Sequence, residues 1–266
     1  VLAPERRAEG IGYYGLSNNL ATALSPSVGI FIYELTGDFM LLFALSMLVA
    51  GVGLYIASRI NIRPRRPVES RKLSLDRFFL VRGWRQAVII CCFGLSYGVL
   101  STYLAIYGKE RLGITGGTGL YFMILSAGLM LSRLQGGRAL RDGKVSENAA
   151  IGVSISVFGY ILFAAVPDMW AYYASALIIG LGNGHMFPAV QTMFINLSPN
   201  SQRGTANSTL YSAWDAGVGI GVFFGGIMAE VWGYASAFWM GALVNAFGVI
   251  FFFTHVRKTF ERDRLR

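Results

Sequence analysis

Charge is scarce in this 266-residue chain, with 14% of its residues Asp, Glu, Lys or Arg, where soluble proteins average about 25%. So little ionisable surface argues against a dissolved globule and against a soluble enzyme. Histidine and cysteine are scarcer still, at two residues each. Cys91 and Cys92 are neighbours in an apolar run, a spacing suited to neither a disulfide nor a metal site, and read as small packing residues. His185 and His255 complete neither an H-E-x-x-H pair nor a Ser-His-Asp set, and no G-x-x-x-x-G-K-[ST] loop occurs. The sequence therefore offers no catalytic constellation, no metal, no cofactor and no ATP-driven motor.

Apolar residues are abundant, at 54% of the chain, with a mean hydropathy of +0.51 and 33 glycines. Soluble helices tolerate such a glycine load poorly, whereas membrane helices use Gly for close backbone approach. Eight mostly apolar segments are long enough to cross about 30 Å of hydrocarbon at about 1.5 Å per residue. They lie near Gly10–Tyr33, Phe39–Arg59, Trp84–Tyr107, Gly119–Leu140, Asn148–Val166, Trp170–Leu197, Gly204–Val231 and Tyr234–His255. The expected fold is an all-α membrane protein.

The net charge of +9 does not point to nucleic acid, because the basic residues sit in short stretches between apolar runs. Numbering the connections alternately puts Arg6 and Arg7, the linker from Arg59 to Arg85, Arg133 to Lys144, Arg203 and the tail from Arg257 on one side. By the positive-inside rule that side is cytoplasmic, with both termini on it. Lys109 and Arg111 fall opposite, among the acids Glu34, Asp38, Glu110, Asp168 and Glu230. The basic linker is expected to meet anionic lipid.

The stretch opening at Pro4 overlays the one opening at Pro199–Arg203 at an offset of 196 residues, bringing Arg7 onto Arg203, Asn19 onto Asp215, Gly29 onto Gly225, Glu34 onto Glu230 and Gly37 onto Gly233. The offset spans six crossings, so a six-helix unit is implied. Since the chain opens at Val1 without an initiator Met, four helices are expected to be missing from an intact total of twelve.

Three signatures carry a family resemblance: Ala3-Pro4-Glu5-Arg6-Arg7, the basic run Ser132–Asp142, and Ser198-Pro199 through Arg203-Gly204-Thr205-Ala206-Asn207. They resemble the junction of helices four and five, the basic loop between eight and nine, and the ten-to-eleven junction of the major facilitator superfamily, especially bacterial efflux-type permeases. That resemblance implies parallel six-helix halves. Residues 1–60 would close the N-terminal half, 61–83 form the linker, 84–256 the C-terminal half and 257–266 a cytoplasmic tail. The run Arg133, Arg138, Arg141 and Asp142 would be a gating loop; Arg133 alternatively snorkels to the interface.

An ionisable group deep in a span needs a partner or a job. Asp215 shares a stripe with Asn207 and Tyr211, so it binds a proton or a cationic group, or is held structurally between helices. Its repeat partner Asn19 would place an amide at the equivalent depth. His185, in the Gly- and Pro-broken run Gly180–Pro188, is a second proton carrier or a core histidine. Helical spacing puts Asn183, Phe187 and Gln191 on one face and His185 with Thr192 on the other, and the first is taken as the cavity wall. The resemblance makes Trp84–Tyr107 the cavity-lining seventh helix, with Tyr97 and Ser101 as contacts and Tyr107 as an interfacial anchor. Gly217, Gly221 and Gly225 read as a packing stripe.

The resulting expectation is a secondary transporter of small molecules, a proton-coupled exporter of drugs, sugars or other amphipathic metabolites, monomeric in the bacterial inner membrane. The alternative is a transporter-derived sensor or scaffold that binds without translocating.

Overall fold

The computed structural model describes Ala21, Ser25 and residues 28–60, 79–114 and 118–265. Asn19, the signature at Ala3–Arg7 and most of the basic linker lie outside these residues. The described residues are helical with no strand among them, and they fall into two units, Val1–Lys72 and Leu73–Arg266.

In the first unit, α1 (described over 28–36) turns at Gly37 into α2 (Phe39–Ser58). Asp38 caps α2, its Oδ1 accepting from the Met40 N–H at 2.7 Å, which satisfies one of the first-turn donors. The α2 surface is apolar on all sides, as suits hydrocarbon or apolar neighbours.

The second unit contains α3 (Trp84–Leu112), α4 (Thr118–Arg141), α5 (Val145–Ala165), α6 (Met169–Leu197), α7 (Arg203–Trp232) and α8 (Tyr234–Phe251). A π-helical turn, Phe252–Val256, then leads into α9 (Arg257–Asp263). Glycines set the register between helices. A Cβ on Gly217 or Gly221 would overlap the carbonyl oxygens of Cys91 and Leu95, and one on Gly94 or Gly98 those of Trp214 and Val218. α3 and α7 thus run parallel in near backbone contact, as the expected glycine stripe requires. Gly180 against Leu125 and Gly184 against Ser132 make α4 and α6 parallel too. Gly152 against Met186 and Gly159 against Ile179 make α5 and α6 antiparallel. The parallel pairs join odd with odd and even with even, and the antiparallel pair joins odd with even, as helices crossing in alternate directions must.

The proposed repeat has a structural echo. Gly37 and Gly233, paired at the offset of 196, both take positive φ, 65° and 83°. Each closes its helix with the same bond, Gly37 N–H to Tyr33 O at 2.8 Å and Gly233 N–H to Ala229 O at 2.9 Å.

Several boundaries move. α3 runs on past Tyr107 to Leu112 and stops where Gly113 takes φ 66°, a left-handed cap that ends the helix. Tyr107 is not an interfacial anchor: it is 3% exposed and packed between Phe163 and Phe238, at 5.4 and 4.9 Å between ring centroids. The connection after α4 shrinks to a turn at Asp142–Lys144, with Gly143 at φ 76°, so the basic signature is mostly helical. The tail is helical too. Phe260 is buried, the Ser146 hydroxyl donates to the Glu261 carboxylate, and the Leu265 N–H reaches Asn196 O at 2.9 Å, tying the tail to α5 and α6.

Among the described residues, five helical stretches are long and apolar enough to cross a membrane by length and composition: Phe39–Ser58, Val81–Leu112, Val145–Ala165, Arg203–Trp232 and Tyr234–Asp263. α4 and α6, also expected to cross, are long but less apolar. α4 carries three arginines, and α6 carries Asn183, His185 and Gln191 where neighbouring helices cover them.

Candidate functional site: a polar and aromatic wall on three helices

Because Gly94 and Gly98 let α7 lie directly on α3, Tyr97 meets Trp214 at 5.4 Å between ring centroids. Trp214 in turn packs edge-on against Phe187 of α6 at 5.6 Å, and Phe187 lies 6.0 Å from Tyr211. Four rings on three helices therefore form one connected series. Beside them the Gln191 Nε2 donates to the Asn207 Oδ1 at 3.1 Å, joining α6 to α7. Arg133 of α4 is half-buried and within electrostatic reach of the Tyr211 phenol. Asp215, one turn beyond Tyr211, is exposed. An aromatic surface edged by amides, one carboxylate and one guanidinium can hold a flat, amphipathic molecule by stacking and orient it by polar contacts.

Asn183 does not join this wall. It is 7% exposed and accepts from the Ser156 Oγ of α5 at 2.9 Å. His185, also 7% exposed, turns to α5 as well, its Nδ1 2.9 Å from the Asn148 Oδ1. The helical wheel set Asn183 with Gln191 and His185 against them. The structure instead pairs Asn183 with His185, because α6 is enclosed by α4, α5 and α7 and each helix captures its own sector.

The Asn148 Nδ2 donates to the His185 carbonyl at 3.3 Å, which turns Oδ1 toward the ring. The imidazole Nδ1 then carries the hydrogen and Nε2 is its basic atom. Gly136 of α4 makes room, since a Cβ there would come within 2.8 Å of Nδ1.

Ser101 is exposed on α3 and bonds back to Gly98 O at 3.3 Å, apart from the ring series. Arg138 and Arg141 lie in the last turns of α4, their side chains outside the described set, and Asp142 is exposed in the following turn. Trp214 is the wall residue absent from the sequence expectations, whereas Phe187 was already placed with Gln191 on the expected cavity face. Trp214 sits three residues after Tyr211 and beside Asp215, a spacing that could have flagged it.

A model of the Major Facilitator Superfamily matches residues 1–151 and again 148–265. The chain belongs to this superfamily. Its sequence is similar to the multidrug resistance protein MdtG of Klebsiella pneumoniae (strain 342), 25% identical over 191 residues, covering 66% of this chain and 45% of that protein. It is also similar to the multi-drug resistance efflux pump PmrA homolog of Lactococcus lactis subsp. lactis (strain IL1403), 29% identical over 191 residues, covering 67% and 46%. An uncharacterized MFS-type transporter of Bacillus subtilis (strain 168), YtbD, is 22% identical over 259 residues, covering 94% and 64%. The chain thus spans less than half the length of the first two relatives.

Among solved structures, the major facilitator fold is matched by a bacterial homologue of the human lysosomal transporter Spinster, in an inward-facing, unoccupied conformation. The TM-score is 0.68 at 16% identity, over 99% of this chain and 73% of that one.

Proposed function

We propose that this major facilitator chain serves proton-coupled, alternating-access export of small amphipathic molecules. The observation that carries the proposal is the ring series Tyr97–Trp214–Phe187–Tyr211, edged by the Gln191–Asn207 amide pair and the exposed Asp215. A carboxylate in a membrane-spanning helix needs a task, and Asp215 beside stacked rings suits either a proton or the cationic end of a substrate. Similarity to proteins named for multidrug resistance and efflux supports the direction and the substrate class. His185, held through Nδ1 by Asn148, is assigned as a second, interior proton group. Arg133, Arg138, Arg141 and Asp142 are assigned to gating at the end of α4.

In the same reading, residues 84–256 form one six-helix half and 1–60 belong to the other, with twelve helices in the intact, monomeric protein of a bacterial inner membrane. Both termini and the basic linker of residues 61–83 face the cytoplasm and anionic lipid.

The test is efflux of a fluorescent aromatic cation, ethidium, from proteoliposomes holding the full-length protein under an imposed pH gradient. Wild-type protein should drive efflux, and Asp215→Asn should reconstitute equally well but lose the dependence on the gradient. Unchanged pH dependence in the variant would remove Asp215 from the mechanism. Saturable binding without exchange in counterflow would establish a sensor and not a transporter.

A further inference from the structure

Lys109 and Arg111 break the charge pattern that the rest of the chain obeys, and the transport mechanism does not use them. Both lie in the last turn of α3, on the side from which positive charge is otherwise absent. Arg111 lines a surface cavity of about 380 Å³ together with Glu110, Ala229, Trp232, Tyr234 and Ala235. The cavity lies where α3 and α7 end and α8 begins, so its depth is that of a helix terminus and not of the hydrocarbon centre.

Each lining group has a distinct chemistry. The Arg111 guanidinium presents planar donors that match phosphate oxygens. Glu110 supplies a carboxylate, and among the described residues neither it nor Arg111 forms an ion pair. Trp232, which also lines the cavity, is 67% exposed, and indole faces attract ammonium groups. Tyr234 is held in place by Tyr103, at 5.9 Å between ring centroids, and Tyr103 is itself fixed by its hydroxyl donating to Val222 O at 2.7 Å. Trp and Tyr at helix ends sit at the level of lipid headgroups.

A cation and an anion side by side in one cavity, with an open indole at that level, complement a group carrying one phosphate and one ammonium. We infer that this cavity binds the headgroup of a zwitterionic phospholipid, phosphatidylethanolamine in particular, with the phosphate on Arg111 and the ammonium between Glu110 and Trp232. A primary ammonium donates hydrogen bonds to a carboxylate, which a quaternary one cannot, so ethanolamine is favoured over choline. The site also gives the out-of-pattern arginine its reason to be there.

Native mass spectrometry of the full-length protein, released from detergent with defined lipids added, tests this. Wild-type protein should retain one phosphatidylethanolamine in preference to phosphatidylglycerol and phosphatidylcholine. Arg111→Gln and Glu110→Gln should each weaken that retention about tenfold, the loss of one charge-assisted hydrogen bond. Trp232→Leu should weaken it less, and Lys109→Gln not at all. Soluble glycerophosphoethanolamine should compete only at concentrations far above that of the lipid. Equal retention of phosphatidylglycerol with sensitivity to Arg111→Gln alone would overturn the zwitterion site in favour of a plain anion contact. Full competition by the soluble headgroup would overturn a lipid source, and unchanged retention in both charge variants would overturn the site. Both charged residues are exposed, so the variants should fold, and equal thermal unfolding of variant and parent is the control.

Discussion

Gly221 of α7 lies so close to Leu95 of α3 that a Cβ at residue 221 would overlap the Leu95 carbonyl oxygen. In hydrocarbon no hydrophobic effect drives two helices together, so this close contact is itself the adhesive. Gly221→Val must push the helices apart, and overpacking of this kind costs about 1–3 kcal/mol. The variant should unfold at a clearly lower temperature in detergent, whereas Gly219→Ala, two residues away with nothing within 4 Å, should not. Equal melting of the two would remove the stripe as the source of the contact.

The same separation sets the distance from Tyr97 to Trp214, so damage to the wall can be read apart from damage to the fold. Trp214→Ala should weaken binding of an aromatic substrate by about two- to tenfold, the worth of one or two ring contacts. Titration of ethidium fluorescence on purified protein would measure it, and an unchanged affinity would move the binding surface elsewhere.

Gly233 has open space around it, yet its backbone is at φ 83° and ψ 162°. That region is nearly exclusive to glycine, and another residue there costs about 1–3 kcal/mol. Gly233→Ala should therefore destabilise without any steric clash, and Gly37→Ala, at φ 65°, should do the same in the related position. Thermal unfolding checks both, and a neutral Gly233→Ala would mean that the turn relaxes.

Asn148 serves His185 through two hydrogen bonds, one to the ring and one to the main chain. Replacing it by Leu strands a buried donor, at about 1–3 kcal/mol. If His185 is only a core histidine, Asn148→Leu lowers stability and leaves the pH profile of efflux in place. A shifted profile at equal protein amount would mark His185 as a proton-exchanging group.

Glu261 binds the Ser146 hydroxyl at the start of α5, and Phe260 beside it is buried. Glu261→Gln should keep the apolar anchor and weaken the polar one, so backbone amides in α9, 257–263, should exchange hydrogen faster while those of α8 do not. Hydrogen-exchange mass spectrometry reads this directly, and no local change would show that Phe260 alone seats the tail.

Among the described helices, most ends were legible to within a few residues. α6 was expected from Trp170 and starts at Met169, and α7 was expected from Gly204 and starts at Arg203, because long apolar runs bounded by Gly, Pro and charge have few ways to be broken. The misses came where charge was mistaken for a boundary. Lys109 and Arg111 suggested that α3 had ended, yet a helix keeps its hydrogen bonds past the apolar zone until a residue such as Gly113 stops it.

By itself the amino-acid order determined that the chain belongs in a membrane as long helices and that its glycines would bring helices together; it paired Gly37 with Gly233, and the structure gave both a positive φ. The first two follow from composition and spacing, which act locally along the chain. Which polar groups meet was decided only by tertiary structure. A wheel drawn around α6 ranks directions but does not know that α5 takes both Asn183 and His185 while α7 takes Gln191. Nor does it show that Trp214 bridges Tyr97 and Phe187. The neighbours of a helix depend on how every other helix packs, and that information is spread over the whole chain.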